Sequence, residues 1–348
     1  MMHDSPLTVL PPLNRMELGF FETNINGREV IAHLGDTQNF HTSLHLFLNE
    51  GVGFYVSFNS LGTAGAAGGL RGALFEDFAD RYLPSHEKDG RVDSTTAAKH
   101  AAMMAGSWEN SRRSESDFLN AVGLIGQLKV GARKGDLVLP LPGLNKQPRH
   151  WVEIAPFVWR DAGSHERLAA KVVGGNVVRF SFDGVSPFMV FDRTPWYRNS
   201  AWLLPFLLAG LAALVITALM WPIAASVRRR YGATLALEPR ALRAFRLSRI
   251  AALAIVAVML GWVLTVALLL SDINHLNSSS DPVLWSLEII GTVVFFGGFA
   301  LMLWNLWVVW GGRRRWPAKL WSIVLAVSAM MVLWVAVAFK LISFGVNY

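Results

Sequence analysis

"REVIAHLGDTQNFHTSLHLF", Arg28 to Phe47, decides how the first part of this chain folds. Just before it stands Asn26-Gly27, a pair that tolerates positive φ and so favours a tight hairpin turn between "LGFFETN" and "REVIAHLG". The segments "FHTSLHLFL" and "GVGFYVSFN" come next, separated by "NEG", and read as a second hairpin. After the Gly-rich connection "SLGTAGAAGG" comes "LRGALFEDFADRYLP", in which Leu70, Leu74, Phe78 and Tyr82 share one helical face and Pro84 closes the helix. Residues 1–84 therefore predict an antiparallel sheet with one helix packed on it. The glycines at 62, 65, 68 and 69 do not make a phosphate loop, because the run ends Gly-Leu-Arg where Gly-Lys-Ser/Thr is needed.

Further along, the chain is too apolar for an ordinary soluble protein: 53% of its 348 residues are hydrophobic and 14 are Trp. Four stretches lack any formally charged residue, 199–227, 250–271, 289–312 and 320–339. A bilayer core of about 30 Å needs roughly 20 helical residues, so each is long enough to span it. The charges divide at the same boundary. Residues 1–198 hold 20 Lys+Arg and 21 Asp+Glu, residues 199–348 hold 12 and 4, and the net +7 belongs to the membrane half. Basicity placed there is expected to set topology, and no nucleic-acid partner is expected.

The connections "RRRYGATLALEPRALRAFRLSR" (228–249) and "GGRRRWPAK" (311–319) are rich in Arg, whereas "SDINHLNSSSDP" (271–282) has two Asp and no Lys or Arg. Short Arg-rich loops stay in the cytoplasm, which places residues 1–198 and the C-terminal "SFGVNY" on the other side of a bacterial inner membrane, in the periplasm. Trp202, Trp221, Trp307 and Trp310 suit interfacial anchors. Glu288 and Lys340 fall near outer helix ends, where long side chains snorkel, and Asn305 is the other polar residue at depth. Anchoring, not transport, is the expected role of the spans. The opening "MMHDSPLTVLPPLNR" has no apolar signal-peptide core, although this topology requires export.

Between sheet and membrane lie two further segments. Residues 85–104 read as a polar linker passing into a short helix. Residues 105–198 read as six or seven short strands with evenly spaced turns, a small antiparallel barrel or sandwich. Its clearest alternation sets Val178, Phe180 and Phe182 on a buried face against Arg179, Ser181 and Asp183. The fold class is thus multidomain α+β and membrane, with four transmembrane helices.

The candidate chemistry is His33-Leu34-Gly35 on the strand after the Asn-Gly turn. The run from "LPPLNRMELGFF" through "GVGFYVSFNS" resembles the C-terminal part of the catalytic domain in class C β-lactamase-like serine hydrolases, a family that includes penicillin-binding DD-peptidases, D-aminopeptidases and esterases. That family carries a Lys/His-x-Gly motif on the strand edging its active site, matched here by His33, Leu34 and Gly35. Asp36 and Thr37 match the Gly-Asp-Thr continuation of that motif, and Phe40, His41 and Ser43 match the aromatic-His-Ser segment after it. "LRGALFEDFADRYLP" looks like the family's C-terminal helix, and the later β-segment and spans resemble the extra domain and tail of a bacterial subgroup.

The resemblance implies three roles. His33 binds the substrate carboxylate or polarises the leaving group, the Asp36 backbone N–H is one of two oxyanion donors, and Gly35 lets an amide or ester substrate lie close to the strand. Leu34 departs from the small or hydroxyl residue common at its position. The family's Ser-x-x-Lys and Tyr-x-Asn motifs precede Lys/His-x-Gly, and the 32 residues before His33 contain neither. Ser85-His86-Glu87-Lys88 spells Ser-x-x-Lys in the wrong place, after Pro84 in a polar linker. A triad of Ser43, His41 or His45, and Asp36 lacks an elbow to expose the serine. The expectation is the C-terminal portion of a longer membrane-anchored hydrolase, inactive by itself. No cofactor or metal is expected: there is no Cys, the nine His are scattered, and His41/His45 fall on a strand.

Overall fold

A computed structural model describes residues 7–85, 88–133, 135–142 and 148–346. They form two compact units: one takes the chain up to Arg112 together with Gln127–Thr194, the other takes Arg113–Gly126 together with everything from Pro195 onward.

The first unit opens with a four-stranded antiparallel meander, β1 (Phe21–Glu22), β2 (Ile31–Asp36), β3 (His41–Phe47) and β4 (Val52–Phe58), paired in that order. Asn26 and Gly27 adopt φ of 56° and 71°, the positive values a two-residue turn demands. Along β3 the alternation is complete: His41, Ser43, His45 and Phe47 are buried against α1 (Ala67–Tyr82), while Thr42, Leu44 and Leu46 face the other way. The helix itself is rotated from the expected face. Arg71, Phe75 and Ala79 are buried, and Leu70, Leu74 and Tyr82 are exposed. Phe75 meets His45 and Phe47, and Arg71 is drawn inward by hydrogen-bond acceptors on β2 and β3, so these two residues outweigh the leucines in setting the face.

The linker helix α2 (Ser94–Met104) is capped by Asp93, whose carboxylate accepts from the backbone N–H of Thr95 and Thr96 at 3.1 and 3.0 Å. Eight antiparallel strands then close a barrel: β5 (Gly106–Asn110), β6 (Leu128–Arg133), β7 (Asp136–Pro142), β8 (Pro148–Ala155), β9 (Val158–Asp161), β10 (Arg167–Val173), β11 (Asn176–Phe182) and β12 (Phe191–Arg193). One strand more than expected arises because "HWVEIAPFVWR" folds back on itself at Phe157, which takes φ 59°. The interior is filled by Trp108, Trp151, Trp159, Phe180, Leu137 and Leu139, all fully buried, so the barrel is a packed core and not a ligand cup. Phe180 and Phe182 on β11 are buried as expected, but Ser181 between them is buried too, its Oγ donating to Met189 O at 2.7 Å, and the alternation fails at Val178, which is exposed while Val177 is buried. A bulge explains it: Lys171 pairs with Arg179 but Val172 pairs with Val177, so Val178 is the extra residue and the faces exchange there.

In the second unit α3 (Ser200–Arg230), α4 (Pro239–Ser271), α5 (Asp281–Gly311) and α6 (Trp316–Ala338) form a bundle in which each helix packs on the next and α3 on α6. All four are long and apolar enough to cross a membrane. Small residues bring helices close: Gly210 lies against Ser328, and Gly298 against Ile255. Aromatic side chains gather at both ends. Trp196, Trp202 and Trp334 lie together at one, and at the other Arg240 stacks over Trp307 while Lys319 approaches Trp310. Helix α4 is longer than its charge-free run suggests, because it begins at Pro239 and includes part of the Arg-rich stretch. Lys340 is exposed as expected, but Glu288 does not snorkel. It is wholly buried, with Ser343 Oγ 3.4 Å from its carboxylate.

Candidate functional site

The candidate residues cluster at one edge of the small sheet. Pairing with β1 ends at Phe21↔Ala32, so the stretch His33–Asp36 has β3 on one side and, among the described residues, no strand on the other. Antiparallel ladders alternate hydrogen-bonded and open residue pairs. Thr23 N–H donates to Val30 O at 2.8 Å on the β1 side, and Thr37 N–H donates to Phe40 O at 2.9 Å on the β3 side. Even-numbered residues of β2 therefore turn their backbone groups toward β1, and odd-numbered ones toward β3. Beyond β1 this leaves Leu34 and Asp36 aiming N–H and C=O at an open edge, where neither N–H finds an acceptor among the described residues.

Side chains alternate in the other sense. His33 and Gly35 lie on the sheet face away from α1, beside Leu44 and Thr42 of β3, and opposite Leu44 stands Tyr55 of β4. His33 is exposed, with Phe20 edge-on at 5.9 Å and Phe21 at 6.3 Å. A Cβ on Gly35 would lie 2.7 Å from Thr42 Oγ1, so the glycine is required by that neighbour as well as leaving the strand surface open.

The Asp36 side chain points to the helix face, where it is clamped. His41 Nδ1 lies 2.8 Å from Oδ1, and Arg71 donates to Oδ1 and Oδ2 at 3.1 and 3.2 Å. The same guanidinium reaches Thr42 O at 2.6 Å and Gly35 O at 3.3 Å. Partial burial alone would raise the Asp36 carboxyl, but the bonds from His41 and Arg71 win and hold it below the usual carboxylate range. No motif in the sequence singles out Arg71. The available signal was a cation at the same helical face as Phe75 and Ala79.

Behind this clamp, His41 Nε2 and Ser43 Oγ are both buried without a hydrogen-bond partner among the described residues. Asp36–His41 has the carboxylate–imidazole half of a relay, yet Ser43 is only 1% exposed under α1 and no hydrogen bond joins it to His41. A nucleophile there has no access to substrate. His45 stacks on Phe75 at 3.7 Å and bonds Thr23 Oγ1 at 2.9 Å. Burial, helped by the nearby Arg71 charge, lowers its pKa to about 4. The Ser85-x-x-Lys88 run includes residues 86 and 87, which lie outside the described residues. No group of three or more metal-ligating side chains forms among the described residues.

A second polar cluster, also unmarked in sequence, lies where α1 meets the β9–β10 turn. Glu76 is bonded by the His165 backbone and neighbours Glu166 and Arg149, and burial raises its carboxyl to about 7. Asp80, one turn on, bonds His165 Nε2 at 2.9 Å and Asn26 Nδ2 at 2.9 Å.

No family model matches the chain, and no curated protein matches it. Among solved structures it is similar to SurE with D-Leu, at 13% identity and TM-score 0.32, and to SurE, at 13% identity and TM-score 0.30. Each match covers 56% of this chain, and 42% and 41% of those chains respectively.

Proposed function

We propose that this chain carries one wall of an acyl-transfer pocket of the class C β-lactamase-like kind. Its four helices hold that wall at a bacterial inner membrane, and the nucleophile and base are supplied by polypeptide outside these 348 residues. The observation that carries this reading is the coincidence of an open sheet edge and an open sheet face at one place, His33–Asp36. In this reading the Asp36 N–H, on the open edge, serves as one oxyanion donor, and such a donor stabilises the tetrahedral intermediate by roughly 3–4 kcal/mol when water is excluded. His33 stands on the adjoining face to meet the carboxylate or leaving group of an amide or ester.

Two uncovered apolar surfaces support the same reading. Leu70 and Leu74 on α1 are exposed, and so is Tyr55 beside the half-buried Leu44 on the opposite sheet face. Surfaces of this kind flank a small sheet where further packing is expected. The Arg-rich connections are assigned to the cytoplasm and the β-units to the periplasm.

A second reading is favoured by the same edge: a non-catalytic envelope module that takes an extended peptide as an added strand beside β2. Translating the genomic DNA upstream of codon 1 in frame separates the two. Ser-x-x-Lys, Tyr-x-Asn and a signal peptide there support the hydrolase wall, whereas in-frame stop codons behind a promoter support the peptide-binding module.

A further inference from the structure

At the Arg-rich end of the bundle a cavity of about 50 Å³ opens among α4, α5, α6 and the connection that precedes α6. Arg249, Arg314, Asn305, Trp321 and Ser322 line it. No carboxylate lies within ion-pair distance of Arg249 or Arg314 among the described residues; the nearby acid in sequence, Glu238, is exposed and pairs with neither. Arg249 sits about ten residues inside α4, stacked over Phe245 at 3.5 Å, with one Nη bonded to Phe245 O and Ser248 Oγ at 3.2 and 2.9 Å. Those contacts hold the guanidinium in place at the wall of the cavity. Asn305 is only 3% exposed and contributes its carboxamide side chain to the lining. Trp321 is fixed as a wall by its indole N–H bonding Thr217 Oγ1 at 3.0 Å.

A partly buried cation without a counter-charge is costly, and two of them beside a carboxamide suit a small anion with several acceptor oxygens. The cavity is several times the about 10–15 Å³ that a single water needs, so it has room for a small oxyanion group. Arginine forks match phosphate oxygens, and basic pockets between helices at a membrane surface suit lipid headgroups. We infer that this cavity is a phosphate-binding site, filled from the bilayer by the headgroup of an anionic phospholipid held by Arg249, Arg314 and Asn305.

The test uses the full chain extracted in mild detergent, stripped of loosely held lipid and offered phosphatidylglycerol or phosphatidylcholine in nanodiscs, with bound lipid counted by native mass spectrometry. One retained phosphatidylglycerol, reduced about fivefold or more by Arg314→Gln and by Arg249→Gln, is expected. The triple variant Arg228→Gln/Arg229→Gln/Arg230→Gln, at the end of α3 and outside the cavity, retains it. Because Arg249→Gln can disturb packing, Arg314→Gln on the connection and Asn305→Ala serve as independent variants. Inorganic phosphate in the low millimolar range is the second arm: raising the Tm of lipid-free wild type but not of Arg314→Gln, with no lipid retained, assigns the site to free phosphate. Equal retention of both lipids with no phosphate effect overturns the inference, and so does equal loss in the triple variant and Arg314→Gln.

Discussion

His45 and Glu76 oppose each other in how acid acts on the small sheet, and removing either one exposes the other. His45 is depressed from 6.5 to about 4 by burial, so the unfolded chain takes up a proton between those values while the folded one does not. Its contribution to stability is complete above pH 6.5 and is lost as pH falls toward 4. Glu76 is raised from 4.5 to about 7, so the folded state holds a proton that the unfolded state has released. Its contribution is complete below pH 4.5 and is lost as pH rises through 7. Each displacement is about 2.5 pH units, and at 1.36 kcal/mol per unit each is worth up to about 3 kcal/mol. Over pH 4.5–6.5 the two slopes nearly cancel. His45→Phe, which keeps the stack on Phe75, should therefore make the sheet more stable on acidification by up to about 3 kcal/mol. Glu76→Gln should make it less stable by a similar amount. Hydrogen exchange of peptides from β3 and α1 in the detergent-solubilised full chain, compared between variants at matched pH, measures both. If both variants show the flat profile of the unmodified chain, the two groups do not titrate as their burial and neighbours require.

The geometry carries two other expectations. Arg71→Met removes the donor that ties Asp36, Gly35 and Thr42 to α1. Because Asp36 is half exposed and can be rehydrated, the loss should be about 2–4 kcal/mol, read by urea-dependent exchange of the β2–β3 hairpin, with Asp36→Asn costing less than Arg71→Met. The chain has no cysteine, so single cysteines at Ser279 and Ala233 report topology without background: an impermeant maleimide added to spheroplasts should label Cys at 279 and not at 233.

Strand and span positions were legible in the sequence because they rest on short-range periodicity. The Asn26-Gly27 turn, the alternation along His41–Phe47 and the charge-free runs each announce themselves within a short window of residues. What was not legible is what depends on a partner far along the chain or on a one-residue insertion. Arg71 takes a buried position because Asp36 and Thr42 await it some 30 residues earlier, and the helix rotates to suit, exposing Leu70 and Leu74. The bulge at Val178 and the reversal at Phe157 each change which face a residue meets by shifting register once. For the site, the strand bearing His33, Gly35 and Asp36 could be placed from the turn alone. The open edge beside it could not, since it depends on where β1 stops.

The most direct measurement is ester turnover and fluorophosphonate labelling by the purified 348-residue chain, alone and mixed with a polypeptide bearing the Ser-x-x-Lys and Tyr-x-Asn motifs. Neither labelling nor turnover is expected of the chain alone, whereas the mixture should turn over ester at a rate that falls when His33→Ala or Gly35→Val is introduced. Labelling of the isolated chain that vanishes in Ser43→Ala or Ser85→Ala would contradict it.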